Sequence, residues 1–392
     1  MTVAAPEAVS GPSFDLGEDT ELMRGEVRRF SEERIRPGTE EREREHRFPE
    51  DIIQEMGELG LLGMMVDERW GGAGMDPLTY CVAVEEVSRV CASTSVTMSV
   101  TNSVCCWPLD RFASDGIKDT ALRQLATGEC IGGFGLTEPQ AGSDPGSMRT
   151  TAVRDGDQWV LNGEKAWITN AGFARYYVVV ASTDAEAGKK GLSAFLVPSD
   201  APGFSVGAPE EKLGLKASLT APLVLTDCRI PANYLVGEEG DGLKIALATL
   251  DHSRLGIAAQ AVGIHQRALE LAVEYSQERV QFGVPIAKHQ AIRFKIAQMA
   301  TELAAARTLT YGAAQIAESD PRRAGRLASE AKLYASEAAN RACAEALQIH
   351  GGNGFHAEYE ISRLYRDVRV TTIYEGTSEM QRLVIARHVL RG

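Results

Sequence analysis

From Glu18 to about Gly128, apolar residues recur at a helical spacing. In LMRGEVRRFSEERI, Leu22, Val27, Phe30 and Ile35 fall near one face of a 3.6-residue period, which predicts a helix with a core-facing apolar side. Gly and Pro at RFPED and RWGGAGMDP punctuate successive helices. Between about Ile131 and Val236 the pattern changes to β-branched and aromatic runs separated by turn residues. YYVVVAS at 176 and LSAFLVPS at 192 have strand length, and in QWVLNGEKAWIT the pair Asn162-Gly163 suits a tight hairpin turn. From Gly240 onward, alanine- and leucine-rich stretches such as LKIALATLDHSRLGIAAQAVGIHQRALELAVEYSQERV and FKIAQMATELAAARTLTYGAAQIAES predict long helices that form a bundle. The chain therefore reads as α, then β, then α, an α+β protein without repeats or long linkers. The expected boundaries are 1–130, 131–238 and 239–392.

Composition narrows the function more than the fold. The chain has 392 residues, 44% hydrophobic and 24% charged, enough to bury a large core in two or three domains. With 41 Lys and Arg against 54 Asp and Glu, the net charge of −13 disfavours nucleic acid and anionic lipid as main partners. No apolar run approaches the roughly 20 residues that span a bilayer, so no membrane insertion is expected. The first residues lack the basic and apolar regions of a secretory signal, so we expect a cytoplasmic enzyme whose first dozen residues are mobile. Seven cysteines, at 81, 91, 105, 106, 130, 228 and 343, include no CxxC and predict buried free thiols. The seven histidines form no HExxH, and His350 and His356 flank GGNGF; no metal site is expected.

Five segments combine residues suited to chemistry. GFGLTEPQAGSDPGS, at the junction of the helical and β blocks, either cradles a polar ligand through its amides, Thr137 and Ser143, or is an ordinary turn. In KAWITNA, period two sets Trp167 and Thr169 on one side of a strand, where Trp167 either stacks on a flat ring or fills the β core. In YSQERVQFGVPIAKHQ, Arg279 and Phe282 are three apart at a helix end and face one way, fit either to clamp a pyrophosphate or to be a surface cation above a core ring. ALQIHGGNGF ends a helix with glycines that permit close backbone contact or simply stop it. In DVRVTTIYEGTSEMQRLVIAR, Glu375 precedes the helix start TSEMQ, as a carboxylate free to enter a cleft or as a partner for the helix dipole.

Together and in this order, these segments resemble the acyl-CoA dehydrogenase family, and EREHRFPEDIIQEMGELGLLGMMVDERWGGAGMD is similar to its amino-terminal region, so nearly the whole chain is covered. The resemblance implies a helical amino-terminal domain, a middle β-barrel and a carboxy-terminal four-helix bundle, assembled as a homotetramer. It implies FAD as cofactor, an acyl-CoA substrate and an electron-transferring flavoprotein as acceptor. Phe134, Leu136, Thr137, Gly142 and Ser143 would line the flavin and the thioester, with Trp167 and Thr169 against the isoalloxazine. Arg279, Gln281 and Phe282 would reach FAD across a subunit interface, joined by Gln348, Gly352, Thr377 and Glu379. Glu375, flanked by Tyr374 and Gly376, matches the proton-abstracting glutamate. Asp251 and Arg254 match positions near CoA and the substrate entrance.

One branch of the family carries its base directly before the residue matched by Arg254; here that position is Ser253, which strengthens Glu375. Nitroalkane-oxidising relatives carry Asp at the base, unlike this chain. Thr371 and Gln260 resemble residues that narrow the acyl pocket in short-chain, butyryl-CoA-type members, implying a short straight or lightly branched acyl group, although each also suits an ordinary structural slot. The alternatives are an acyl-CoA oxidase, whose chains are usually longer, and a flavin-bearing binding protein without activity, which an acidic chain retaining Glu375 argues against.

Overall fold

The computed structural model describes residues 16–390, so the expected mobility of the first dozen residues lies outside the described residues. The first block is helical: α1 (Glu18–Phe30), α2 (Thr39–Glu45), α3 (Glu50–Glu58), α4 (Pro77–Val90), α5 (Ala92–Val100), α6 (Trp107–Phe112), α7 (Asp115–Ile117) and α8 (Arg123–Ala126). Asp76 starts α4 by accepting the Thr79 N–H at 2.7 Å, and Pro77 sits in the first turn, where its missing N–H is no loss. Val27, Phe30 and Ile35 are buried as expected, but Leu22 is 67% exposed and Met23 packs on the core instead. Five residues of helix turn Leu22 roughly 140° away from Val27, too far for one face.

The middle block is a sheet of β1 (Gly132–Gly135), β2 (Thr151–Asp155), β3 (Gln158–Thr169), β4 (Tyr176–Ser182), β5 (Leu192–Pro198), β6 (Phe204–Val206), β7 (Thr220–Pro231) and β8 (Leu235–Val236). Its order is β6-β7-β3-β2-β4-β5-β8, with β1 parallel beside β4. The expected barrel is not found as a closed ring: β6 and β8 end the pairing path, and with three and two residues they offer few groups with which to close it.

The expected hairpin at Asn162-Gly163 is also corrected. The chain reverses earlier, at Gly156 (φ 62°), where Asp155 pairs with Gln158. β3 continues through Asn162-Gly163 with a register shift against β7, and Asn162 Oδ1 accepts the Asp227 N–H at 2.8 Å. The bulge requires glycine: at Gly163 (φ 149°) an added Cβ would lie 2.5 Å from Thr150 Oγ1 and 2.7 Å from its Cα. Gly163→Ala is therefore expected to destabilise the protein by about 2 kcal/mol, read as a lower urea midpoint; an unchanged midpoint would sink the account of the bulge.

The last block holds α9 (Gly242–Glu278), the short hairpin β9 (Val280–Gln281) and β10 (Val284–Pro285), α10 (Gln290–Gln315), α11 (Pro321–His350), α12 (Glu360–Asp367) and α13 (Ser378–Leu390). α9, α10 and α11 pack on one another, α13 packs on α11, and α4 lies against α9. A buried ion pair joins the first and last blocks: Glu85 on α4 accepts from Arg307 Nη2 at 2.7 Å and from the Tyr311 hydroxyl at 2.8 Å. The seven cysteines are free thiols, and all but Cys130 are buried. Among the described residues no helix is long and apolar enough to cross a membrane.

Candidate active site

Glu375 lies between the 3-10 segment Val368–Thr372 and α13, in the left-handed backbone region (φ 52°), followed by Gly376 at φ 94°. That conformation is unfavourable for a non-glycine residue and persists where its surroundings hold it. The Gly376 carbonyl accepts from Lys332 Nζ of α11 at 2.7 Å and from Gln381 Nε2 of α13 at 2.9 Å. Both donors belong to residues without exposed surface.

The carboxyl does not behave as a helix-dipole partner. Its Oε2 is shut off from solvent and takes no hydrogen bond. Burial raises its pKa from 4.5 to about 7, against the opposing pull of the Ser253 hydroxyl, the Lys332 ammonium and the Arg254 guanidinium. The Ser253 hydroxyl also has the Leu250 carbonyl within 3.2 Å as a competing acceptor, so its hold on Glu375 is shared.

Neighbouring residues close the space around this group. The Tyr374 hydroxyl bonds Gln260 Oε1, and Gln260 Nε2 donates to the Ala92 carbonyl and to Ser95 Oγ, each at 3.0 Å. Thr371 is buried and donates to the Val368 carbonyl at 2.7 Å. Arg254 is buried, bonded to the exposed Asp251 and, at 3.1 Å, to Ser329. Structure thus brings Ser253, Arg254, Gln260, Thr371, Tyr374, Glu375 and Gly376 together, with Asp251 at the rim.

A second group gathers where the chain leaving β1 meets β3. The Ala166 N–H donates to the Thr137 carbonyl at 2.8 Å, joining Phe134, Leu136 and Thr137 to Trp167 and Thr169. Trp167 does not fill the β core: it is 60% exposed and held at φ 62° beside a register shift in β3. Gly142 and Ser143 are exposed on the following loop. Beneath it, Glu138 accepts from Lys165 Nζ at 2.7 Å, the Arg149 N–H at 2.6 Å and the Thr150 N–H at 2.9 Å.

A third group sits at the end of α9. The helix stops at Glu278, so Arg279 and Phe282 do not share a helical face as expected; Phe282 (φ 54°) forms the tip of the β9–β10 hairpin and is 93% exposed. Glycine at 283 and proline at 285 end the helical pattern there. The GGNGF turn docks on the same helix end, where Asn353 Nδ2 bonds the Tyr275 hydroxyl at 3.0 Å and His350 stacks on Tyr275 at 4.2 Å. Gln281, Gln348 and Gly352 are exposed around it. Thr377 and Glu379 line a separate groove of about 450 Å³ with Glu337, Asn340, Arg341 and Arg369.

Sequence reasoning missed Lys332, Gln381 and Tyr80. Lys332 had a signal: it falls on the stripe Ala328, Ala331, Ala335 and Ala339, an apolar face where a lysine is out of place. Tyr80 had none, being one aromatic in an apolar helix; its hydroxyl pairs with Ser99 at 2.9 Å, and the charge of Glu375 reaches it.

The chain matches the family models of the acyl-CoA dehydrogenase amino-terminal domain at 17–129, middle domain at 133–228 and carboxy-terminal domain at 240–390. It is 49% identical over 379 residues to the mitochondrial short-chain specific acyl-CoA dehydrogenase of Mus musculus, covering 97% of this chain and 92% of that one. Its fold matches butyryl-CoA dehydrogenase from Megasphaera elsdenii with a TM-score of 0.94 and 41% identity, over 97% of this chain and 100% of that one. A chain solved in work on the electron transferring flavoprotein of Acidaminococcus fermentans matches with a TM-score of 0.95 and 42% identity, again over 97% and 100% of the two chains. The chain belongs to the acyl-CoA dehydrogenase family of flavoprotein oxidoreductases.

Proposed function

We propose that the protein converts a short acyl-CoA thioester to the trans-2-enoyl-CoA with FAD as cofactor, Glu375 being the base that removes the α-proton. The observation that carries this reading is the state of Glu375, a carboxyl with one unpartnered, solvent-excluded oxygen and a pKa of about 7. An α-hydrogen of a thioester is weakly acidic. Its removal needs a close, desolvated base whose proton affinity is matched to working pH, and hydrogen bonds to the developing enolate oxygen. The backbone N–H of Glu375 is the donor on this chain suited to that oxygen.

FAD, when bound, supplies the acceptor for the β-hydride. The residues present fit such a group: Trp167, held outward at φ 62°, and the partly buried Phe134 offer a flat wall for a heteroaromatic ring. In this reading Leu136, Thr137, Gly142, Ser143 and Thr169 complete that wall, and Trp167 keeps water from the reacting carbons. Arg279, Gln281, Phe282, Gln348, Gly352, Thr377 and Glu379 take the adenosine and pyrophosphate from a second copy of the chain. The 93% exposure of Phe282, with Val280 at 51% beside it, supports burial of the hairpin against another copy and hence a homotetramer. Arg254 and Asp251 flank the CoA entrance. The likeness to the Acidaminococcus fermentans chain supports an electron-transferring flavoprotein as acceptor.

The hydrogen bonding beside Glu375 supports a short acyl chain in this reading. Gln260 and Tyr374 are tied to each other, and moving either aside for a longer tail would strand buried polar atoms. The test is anaerobic addition of butyryl-CoA to purified protein while the visible spectrum is recorded, followed by turnover across C4 to C16. We expect a yellow flavin band that bleaches and a maximum at C4 to C6. An oxidised flavin that no thioester bleaches would leave a binding protein, and a maximum at C12 or beyond would overturn the short-chain assignment alone.

A further inference from the structure

The proposed base stands on a turn whose geometry two buried side chains hold from different helices. Lys332 Nζ and Gln381 Nε2 both donate to the Gly376 carbonyl, at 2.7 and 2.9 Å, and Gln381 Nε2 lies 3.4 Å from the Glu375 carbonyl. A buried lysine is expensive to keep unless its charge is used or matched. Lys332 has no exposed surface and no ion pair among its described contacts, so the carbonyl is its direct partner.

We propose that Lys332 is a positioning residue for the reaction: its ammonium clamps the Gly376 carbonyl, holding Glu375 in its left-handed conformation with a buried positive charge on the neighbouring residue's carbonyl. This rests on Glu375 being the base. The clamp explains why a non-glycine residue keeps φ 52° beside Gly376 at φ 94°. The charge effect runs in one direction. Burial drives Glu375 toward its neutral form, and Lys332 is the stronger of its two cationic influences, ahead of Arg254. Lys332 is itself held down to about 8 by burial, with Glu375, Glu379 and Glu337 pulling up and Arg254 pushing down, so it remains charged at neutral pH. Tyr80 and Tyr374 also face Glu375, and burial keeps both phenols protonated.

The test compares holoenzymes carrying Lys332→Gln and Lys332→Arg with the wild type. Lys332→Gln keeps a donor for the carbonyl and removes the charge; Lys332→Arg keeps the charge. In Lys332→Gln the acid limb of kcat/KM should move up by about one pH unit, costing roughly tenfold near pH 6.5 and recovering by pH 9. Lys332→Arg should leave the limb near its wild-type position. An independent readout is the infrared band of the Glu375 carboxyl, assigned by its loss in Glu375→Gln, whose midpoint should rise in Lys332→Gln. A loss that is uniform across pH, or a limb and band that stay put in Lys332→Gln, overturns the proposal. An active Glu375→Gln would instead overturn the assignment of the base on which it rests.

Discussion

Glu375→Gln is expected to lower kcat on the order of 10⁴-fold while the purified protein keeps its yellow flavin. The amide preserves the volume and the neutral form but cannot accept the α-proton, and the helix position before Arg254 is Ser253, which supplies no carboxylate in its place. In the proposed role, the same carboxyl sets the pH profile. A base must be ionised to act, so with Glu375 near 7 the free enzyme's kcat/KM should fall as pH drops through about 7 and level off above it. Activity within tenfold of the wild type in Glu375→Gln would refute the assignment, and an acid limb near pH 4.5 would refute the burial argument.

Glu138→Ala is expected to cost about 3–5 kcal/mol of stability and to yield protein with less bound flavin. Lys165 has no exposed surface, and removing its counter-charge leaves a buried ammonium. The pair is asymmetric. At Lys165 burial wins and lowers the pKa to about 8, whereas at Glu138 burial is outweighed by the Lys165 charge and by hydrogen bonds from Lys165, Thr150 and Arg149, which bring it from 4.5 to about 2. The carboxylate's contribution is thus present above about pH 4.5 and is lost as pH falls toward 2. The Arg149 and Thr150 amides that Glu138 anchors close the loop carrying Gly142 and Ser143, which ties stability to the proposed flavin wall. A double variant with Lys165→Met should recover part of the loss, since the buried charge leaves with its partner. The thermal midpoint and the flavin-to-protein absorbance ratio measure both effects; an unchanged pair of values would show that the ion pair is not needed.

Periodicity and turn chemistry are local properties, and the local parts of the structure were legible. The α, β, α layout, β4, β5, the end of α11 at GGNGF and the start of α13 after Glu375 all stand where the residue patterns put them. Glu375 itself was visible only as a carboxylate on a turn. The ordered family segments, taken together, singled it out.

What the sequence could not decide depends on partners distant along the chain. Asn162-Gly163 has hairpin residues, yet the amide of Asn162 finds Asp227 on β7 and the strand runs on with a bulge. Trp167 looks like core and is exposed, because a register shift turns it outward. The proton affinity of Glu375 is set by burial, by Ser253 on α9 and by Lys332 on α11. The residue sequence determined which side chains were available and which segments were helix or strand. Only the tertiary structure decided which were desolvated and which charges faced them, because desolvation and Coulomb energy depend on distance in space and not along the chain.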